Sequence, residues 1–350
     1  MLKNIKLKDI NNKKVIFTYL YDPNFTSFCE GDLDKIDIIN YSFATIKNNQ
    51  ARIDGLTKIN EIIPQAHKAG VRVVLALGGW GVDGFSQACA SLPSRTTFIS
   101  SIIELINNYH FDGIDIDWEY PTSTAGGLIS ALPTDKSNLT LFMKELRKAM
   151  NKVNPELILS MAVGAGIEAA NSYYDIYALK DIINYLHIMT YDMIDYAHFF
   201  TTHHTNLFPS NYTSFSVNEA VTVYESKGIA KEKIIIGIAF FGHVFKTTSY
   251  GMNGINASSD VFSKTTIRYH ALENNYLNND LYTVYTDDVA KAQWLYGNNI
   301  FITYDSPYSI THKAAYVMNN GLGGLMVWEY CQDSSTSTLL KTLYNSLILN

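Results

Sequence analysis

Residues 111–120 read FDGIDIDWEY. Asp115, Asp117 and Glu119 stand two apart, and alternate side chains of a strand share one face. The spacing therefore predicts three carboxyls on one face and Ile114, Ile116 and Trp118 on the other. Acids inside and apolar residues beneath helices is the pattern of a strand in a closed parallel barrel. Glu119 then falls at the C-terminal end of the strand, where barrel enzymes keep their chemistry. A solvated edge strand could also alternate acids, but the intervening Ile-Ile-Trp asks for burial. A calcium loop also has alternating Asp but needs a Gly turn and a downstream Glu, and the apolar residues between the acids here argue against a loop. A Mg²⁺ site stays open, because hard cations favour carboxylate oxygens, but no residue is assigned as a metal ligand.

Three carboxyls this close cannot all ionise cheaply. Like charges in a poorly solvated site force at least one pKa upward. That is how a protein keeps a carboxylic acid protonated near neutral pH for use as a general acid.

Outward from this segment, seven further short apolar runs read as strands: 15–21, 36–44, 71–78, 157–164, 185–192, 233–241 and 324–330. Stretches of helical period lie between them. One is LTKINEIIPQAHKAG, closed by a glycine; another, LTLFMKELRKAMNKV, stops before Pro155. Strand–helix alternation on this scale implies a parallel sheet, and eight units imply an α/β fold of the (β/α)₈ TIM-barrel type. The 350 residues are read as a single catalytic TIM-barrel domain. Residues 243–303 are an elaborated loop or reduced insertion after the seventh strand. Within that stretch YTDDVAKAQWLYG (285–297) looks helical, and FITYDSP (301–307) looks like an extra strand or turn.

The net charge is −6 and no Lys/Arg cluster or basic tail exists, so neither nucleic acid nor an anionic membrane is expected as a partner. A neutral polymer needs no electrostatic steering. No run of about 18 apolar residues is present, and the N-terminus, MLKNIKLKDINNKK, lacks the apolar stretch of a signal peptide. Localisation is left open, export by another route included. Cys29, Cys89 and Cys331 are too scattered for a metal motif or a disulfide framework and are read as free thiols. Sequons at Asn24, Asn138, Asn211 and Asn256 are read as chance in an Asn-rich chain.

At this point the sequence resembles glycoside hydrolase family 18, the chitinase family. Its DxxDxDxE signature is present as Asp112, Asp115, Asp117 and Glu119. LALGGW (75–80) is similar to the third-strand SxGG motif and its following Trp, MTYD (189–192) to the sixth-strand motif, GIAFFGH (237–243) to the seventh-strand region, and GGLMVWEY (323–330) to the eighth strand. The order and spacing hold from Tyr19 to Trp328.

The resemblance implies a chitinase that cuts β-1,4 linkages of N-acetylglucosamine polymers with retention. Glu119 would be the proton donor, and the substrate's own acetamido oxygen the nucleophile, forming an oxazolinium ion. Asp117 would hold the acetamido N–H, Asp115 would share a proton with Asp117, and Tyr191 would position the acetamido oxygen. Tyr19, Phe43, Gly79, Trp80, Met189, Asp192 and Trp328 would line the sugar site, with Trp328 as the floor at −1 and Trp80 a stacking surface at +1. The substrate would be chitin or chitooligosaccharides, with no cofactor. Two positions depart from the family pattern. Ala76 stands where a serine hydroxyl normally helps hold the charge matching Asp115, and His243 stands where an arginine normally ends the seventh-strand motif. The loop after that strand reads as shorter than a full α+β insertion, implying a shallower cleft.

Two other readings share the barrel. A chitin-binding lectin would lack the acid, which is present. An endo-β-N-acetylglucosaminidase acting on N-glycans would share the mechanism, but Trp80, MTYD and Trp328 favour chitin.

Overall fold

The alternation in 111–120 is built as the spacing demands. Asp115 and Asp117 face the inside of a barrel, while Ile114, Ile116 and Trp118 belong to the apolar layer beneath the surrounding helices. The computed structural model describes residues 6–127, 129–194, 200–213, 215–248, 253–259 and 264–349.

The strands in chain order are β1 (Val15–Tyr21), β2 (Ile38–Lys47), β3 (Gln50–Arg52), β4 (Arg72–Gly78), β5 (Gly113–Asp117), β6 (Ile158–Gly164), β7 (Tyr185–Met189), β8 (Ile234–Ala239), β9 (Phe241–Lys246), β10 (Thr265–Arg268), β11 (Thr283–Asp287), β12 (Ala292–Gly297), β13 (Ile300–Tyr304) and β14 (Gly324–Trp328). The barrel runs β1-β14-β8-β7-β6-β5-β4-β2, all parallel, and closes through β1 against β2. The eight strands expected from the sequence are the eight staves of this (β/α)₈ barrel. The short β3 only turns back antiparallel on the end of β2.

Two apolar cores follow from the period of two. Val15, Phe17, Tyr19, Val74, Ala76, Ile158, Ile235 and Met326 fill the barrel interior. The alternate residues of the same strands, such as Ile16, Leu20, Val73 and Leu75, pack under the helices. Local chemistry sets the helix ends. Ser91 opens the helix Leu92–Tyr109 and Ser306 opens Pro307–Asn320; in both cases a capping box with the serine three residues on satisfies free amides, and a proline sits in the first turn.

Residues 241–304 depart from the sequence reading. Here β9 to β13 form a five-stranded antiparallel sheet in the order β10-β9-β13-β12-β11. Residues 285–297 are not helical. They are a hairpin, β11 against β12, with Tyr285 opposite Trp294. Residues 301–307 supply most of β13 and the start of the following helix. The sheet stands over the C-terminal face of the barrel, directly after β8.

Candidate active site

β5 delivers Asp115 deepest, Asp117 one layer above, and Glu119 at the mouth. Asp115 is fully buried. The Tyr19 hydroxyl from β1 donates to its Oδ2 at 2.7 Å, and the Ser160 hydroxyl from β6 donates to its Oδ1 at 2.6 Å. His187 Nδ1, from β7, lies 3.4 Å from Oδ1 and 3.1 Å from the Tyr19 hydroxyl. Burial alone would push the Asp115 carboxyl up, but His187, Ser160 and Tyr19 more than offset it and hold it below the usual carboxylate range. Asp115 is therefore the charged member of the series.

Asp117 takes the opposite course. Burial, then the charges of Glu119 and Asp115, push its carboxyl well above the usual range. Its Oδ1 is buried with no hydrogen-bond partner among the described residues. Glu119 is pushed up to about 7, by burial first, against a hydrogen bond from Tyr120, and with the Asp192 charge adding to the rise. Asp117 and Glu119 share a hydrogen bond. A carboxylate pair in this state holds a proton between its members, since two like charges at that distance cannot both ionise.

Across the barrel, burial and the charges of Asp117, Glu119 and Asp192 raise the Tyr191 phenol well above its normal range, so it remains a donor. Its ring lies against Gly237, where a Cβ would come within 2.7 Å of Cε1. Only glycine lets the ring settle there. Asp192 is half exposed and hydrogen-bonds His243 Nε2. His204, buried behind it, accepts the Asp192 backbone N–H at Nδ1 over 3.4 Å.

Trp328, at the end of β14, stacks on Phe43 at 5.6 Å with the rings 25° apart, and lies 5.6 Å from Tyr19. Phe43 in turn fills the space beside Gly79, whose φ of 89° and 2.8 Å approach to that ring both require a glycine. Trp80, next in the chain, is 64% exposed. These residues, with Met189, line one cleft of about 1510 Å³ over the barrel mouth. Gly78 of the same turn lines it as well, whereas Gly79 lies behind Phe43. The cleft exceeds the 300–1,000 Å³ typical of small-molecule pockets, and its walls include Thr202, Tyr212, Lys264 and Thr266 from the loops and sheet above the barrel.

Asp112 sits elsewhere. Its Oδ2 bonds His67 at 2.8 Å and the Val73 amide at 2.8 Å, which ties the lower end of β5 to its neighbours. Sequence reasoning missed Ser160, His187, Tyr120 and His204. The first two were visible as polar residues on the inward parity of apolar strands. Their meeting with Asp115 depends on inter-strand register, which no single strand carries.

At Ala76 the register is explicit. Ala76 of β4 pairs with Asp115, and Asp115 pairs with Ser160 of β6. The hydroxyl missing on one side of Asp115 is supplied from the other. The thiols of Cys29, Cys89 and Cys331 are all free.

The family model described as glycosyl hydrolases family 18 matches residues 14–333. Chitinase A1 of Niallia circulans is 30% identical over 84% of this chain and 44% of its own length. Endochitinase 1 of Metarhizium robertsii is 27% identical over 95% of this chain and 78% of its own. Among solved structures, a family 18 N-acetylglucosaminidase from Paenibacillus barengoltzii superposes with a TM-score of 0.90 at 30% identity, covering 96% of this chain and all of that one. The chain thus spans less than half the length of the Niallia relative.

Proposed function

The chain belongs to glycosyl hydrolase family 18, and from that premise we propose that it hydrolyses β-1,4 linkages of chitin or chitooligosaccharides by a retaining, substrate-assisted route. The observation that carries the reading is the hydrogen-bonded Asp117–Glu119 pair at the mouth of the barrel, with both carboxyls raised by burial and Glu119 pushed up to about 7.

Glu119 protonates the glycosidic oxygen as the C1–O bond breaks. The acetamido carbonyl oxygen of the −1 sugar closes on C1, forming the oxazolinium ion. Asp117 accepts the acetamido N–H, and Tyr191 donates to the acetamido oxygen and aims it. Asp115, with its charge held by Tyr19, Ser160 and His187, keeps the proton on the Asp117–Glu119 side. Glu119, now a carboxylate, takes a proton from water, whose oxygen attacks C1 from the face the leaving group vacated. The configuration is retained and the acid is restored. Trp328 supplies the apolar floor, and Asp192 contacts the sugar from the opposite wall.

Proton NMR of the first product from a chitooligosaccharide tests this. The β-anomer is expected first, and an initial α-anomer would overturn the mechanism. Fully deacetylated chitosan, which lacks the nucleophile, is expected to be inert, and a chelator is expected not to lower the rate. A high-mannose glycopeptide run alongside separates chitin hydrolysis from cleavage of N-glycans.

A further inference from the structure

One cluster of metal-ligating groups lies among the described residues, and the mechanism above uses only its carboxylate and neither of its histidines: Asp192, His204 and His243 each place a ligand atom within 4.8 Å of the other two. We propose that these three side chains form a binding site for a borderline divalent cation of the Zn²⁺ class, open on one side to the substrate cleft.

The elements that carry the three residues are independent. Asp192 follows β7, His243 lies on β9 of the inserted sheet, and His204 comes from the loop between them in sequence, its backbone N–H held by Thr303 of β13 at 3.1 Å. The two imidazole rings are 4.8 Å apart and nearly perpendicular. The three ligand atoms lie close to one another. Asp192 Oδ1 hydrogen-bonds His243 Nε2 and lies 3.9 Å from His204 Nδ1. His204 Nδ1 accepts the Asp192 N–H at 3.4 Å, so Nδ1 carries a lone pair directed toward the Asp192 side, and a bound cation would take the place of this long hydrogen bond. His243 Nδ1, on the far side of its ring, is 3.5 Å from the Thr266 hydroxyl. With metal on Nε2, that Nδ1–H has an acceptor, which is the usual second support of a ligating histidine.

Two imidazoles and one carboxylate suit zinc, copper or nickel, while Mg²⁺ and Ca²⁺ prefer all-oxygen sites. Both histidines are buried, whereas Asp192 is half exposed toward the cleft. A bound cation would therefore have three protein ligands and a fourth position facing the cleft. Binding displaces the hydrogen bond between Asp192 and His243: the neutral His243 ring changes tautomer, so that its proton sits on Nδ1 and the Nε2 lone pair faces the metal, and the Asp192 oxygen is committed to the metal. If Asp192 contacts the sugar, a step that rests on the proposed function, occupation of the site inhibits.

The experiment separates the two levels. Metal-stripped protein is titrated with Zn²⁺ by calorimetry, with Co²⁺ as a coloured substitute and Mg²⁺ as control, all without substrate. One Zn²⁺ per chain is expected, with a rise in Tm, visible cobalt absorption, and no response to Mg²⁺. His243→Gln and His204→Gln are expected to weaken Zn²⁺ binding at least about tenfold, the lower end of what even outer partners of a ligand cost. Their circular dichroism reports whether they fold, and the wild-type titration stands if one does not. Absence of stoichiometric Zn²⁺ binding to the wild type, or equal binding in folded variants, overturns the site. Zn²⁺ that binds as described and lowers chitooligosaccharide turnover, with recovery on chelation, supports both levels. A protein that binds Zn²⁺ but never cleaves refutes the proposed function and leaves the site standing.

Discussion

At the residue scale the series Asp115, Asp117 and Glu119 behaves as three different acids, because three different environments surround them. Asp115 is charged among donors, Asp117 is kept protonated by burial, and Glu119 is poised between. A general acid acts in its protonated form, which exists below its pKa and is lost above it. With Glu119 pushed up to about 7, kcat/KM should fall as pH rises through that value, and Glu119→Gln should lower turnover by about 10²–10⁴-fold while leaving oligosaccharide binding measurable. Activity of the variant within tenfold of wild type would remove Glu119 from the role. Ser160 gives a second test. A hydrogen bond to a charged group contributes roughly 1.5–3 kcal/mol, so Ser160→Ala should cost about tenfold or more in turnover. Ala76 and Ser160 flank Asp115 in register on the two neighbouring strands. Ala76→Ser in the Ser160→Ala background should return much of the lost rate, whereas Ala76→Ser alone should change little. Failure of the double variant to recover would mean that Ser160 acts through something other than the Asp115 charge. The acids themselves were legible in ten residues of sequence. Their supporting hydroxyl was not, because it lies 45 residues away and meets Asp115 only through register.

At the element scale the eight barrel strands were legible because each is a short apolar run between helical periods. The hairpin 285–297 was not. Asp287 Oδ1 accepts the Val289 and Ala290 amides at 3.0 Å each, which locally is the same pattern as an aspartate capping a helix N-terminus. What decides the outcome is β13, which pairs with the far side of β12 and makes Ala292–Gly297 a central strand. That partner lies outside any local window. The junction of this sheet with the barrel is held by a buried ion pair. Lys313 Nζ contacts both Asp305 oxygens at 2.8 Å and the Thr205 hydroxyl at 2.6 Å, and Asp305 also accepts the Ala239 amide at the end of β8. Removing one partner of a buried pair strands the other charge, at a cost of about 3–5 kcal/mol. Lys313→Met should show that loss in denaturant unfolding, and Lys313→Met with Asp305→Asn should recover part of it. A single variant as stable as wild type would mean that the pair contributes nothing net to the fold.

At the scale of the whole molecule the barrel supplies the floor of the cleft and the inserted sheet one of its walls, so under the proposed function a polymer would lie along the cleft rather than in one pocket. Trp328 and Trp80 mark two depths of that cleft. Trp328 is packed on Phe43 and Tyr19, so its loss would disturb the site and its surroundings together. Trp80 is 64% exposed and borders the cleft on the side where Gly127 approaches its indole nitrogen. An exposed ring contributes little to the fold, and surface substitutions usually stay within about 0.5 kcal/mol. A sugar stacked on its face would cover apolar area that water otherwise wets, a contribution of roughly 1–1.5 kcal/mol, or about tenfold in binding. Trp80→Ala should therefore leave Tm nearly unchanged and raise KM about tenfold for chitooligosaccharides that reach past the scissile bond. A short aryl glycoside, whose leaving group is small and already activated, should lose far less. The comparison is of KM and kcat for the two substrates in both proteins. An equal loss on both would place Trp80 in the chemistry at −1 rather than beyond it, and no loss on either would leave the exposed indole outside the path of the polymer.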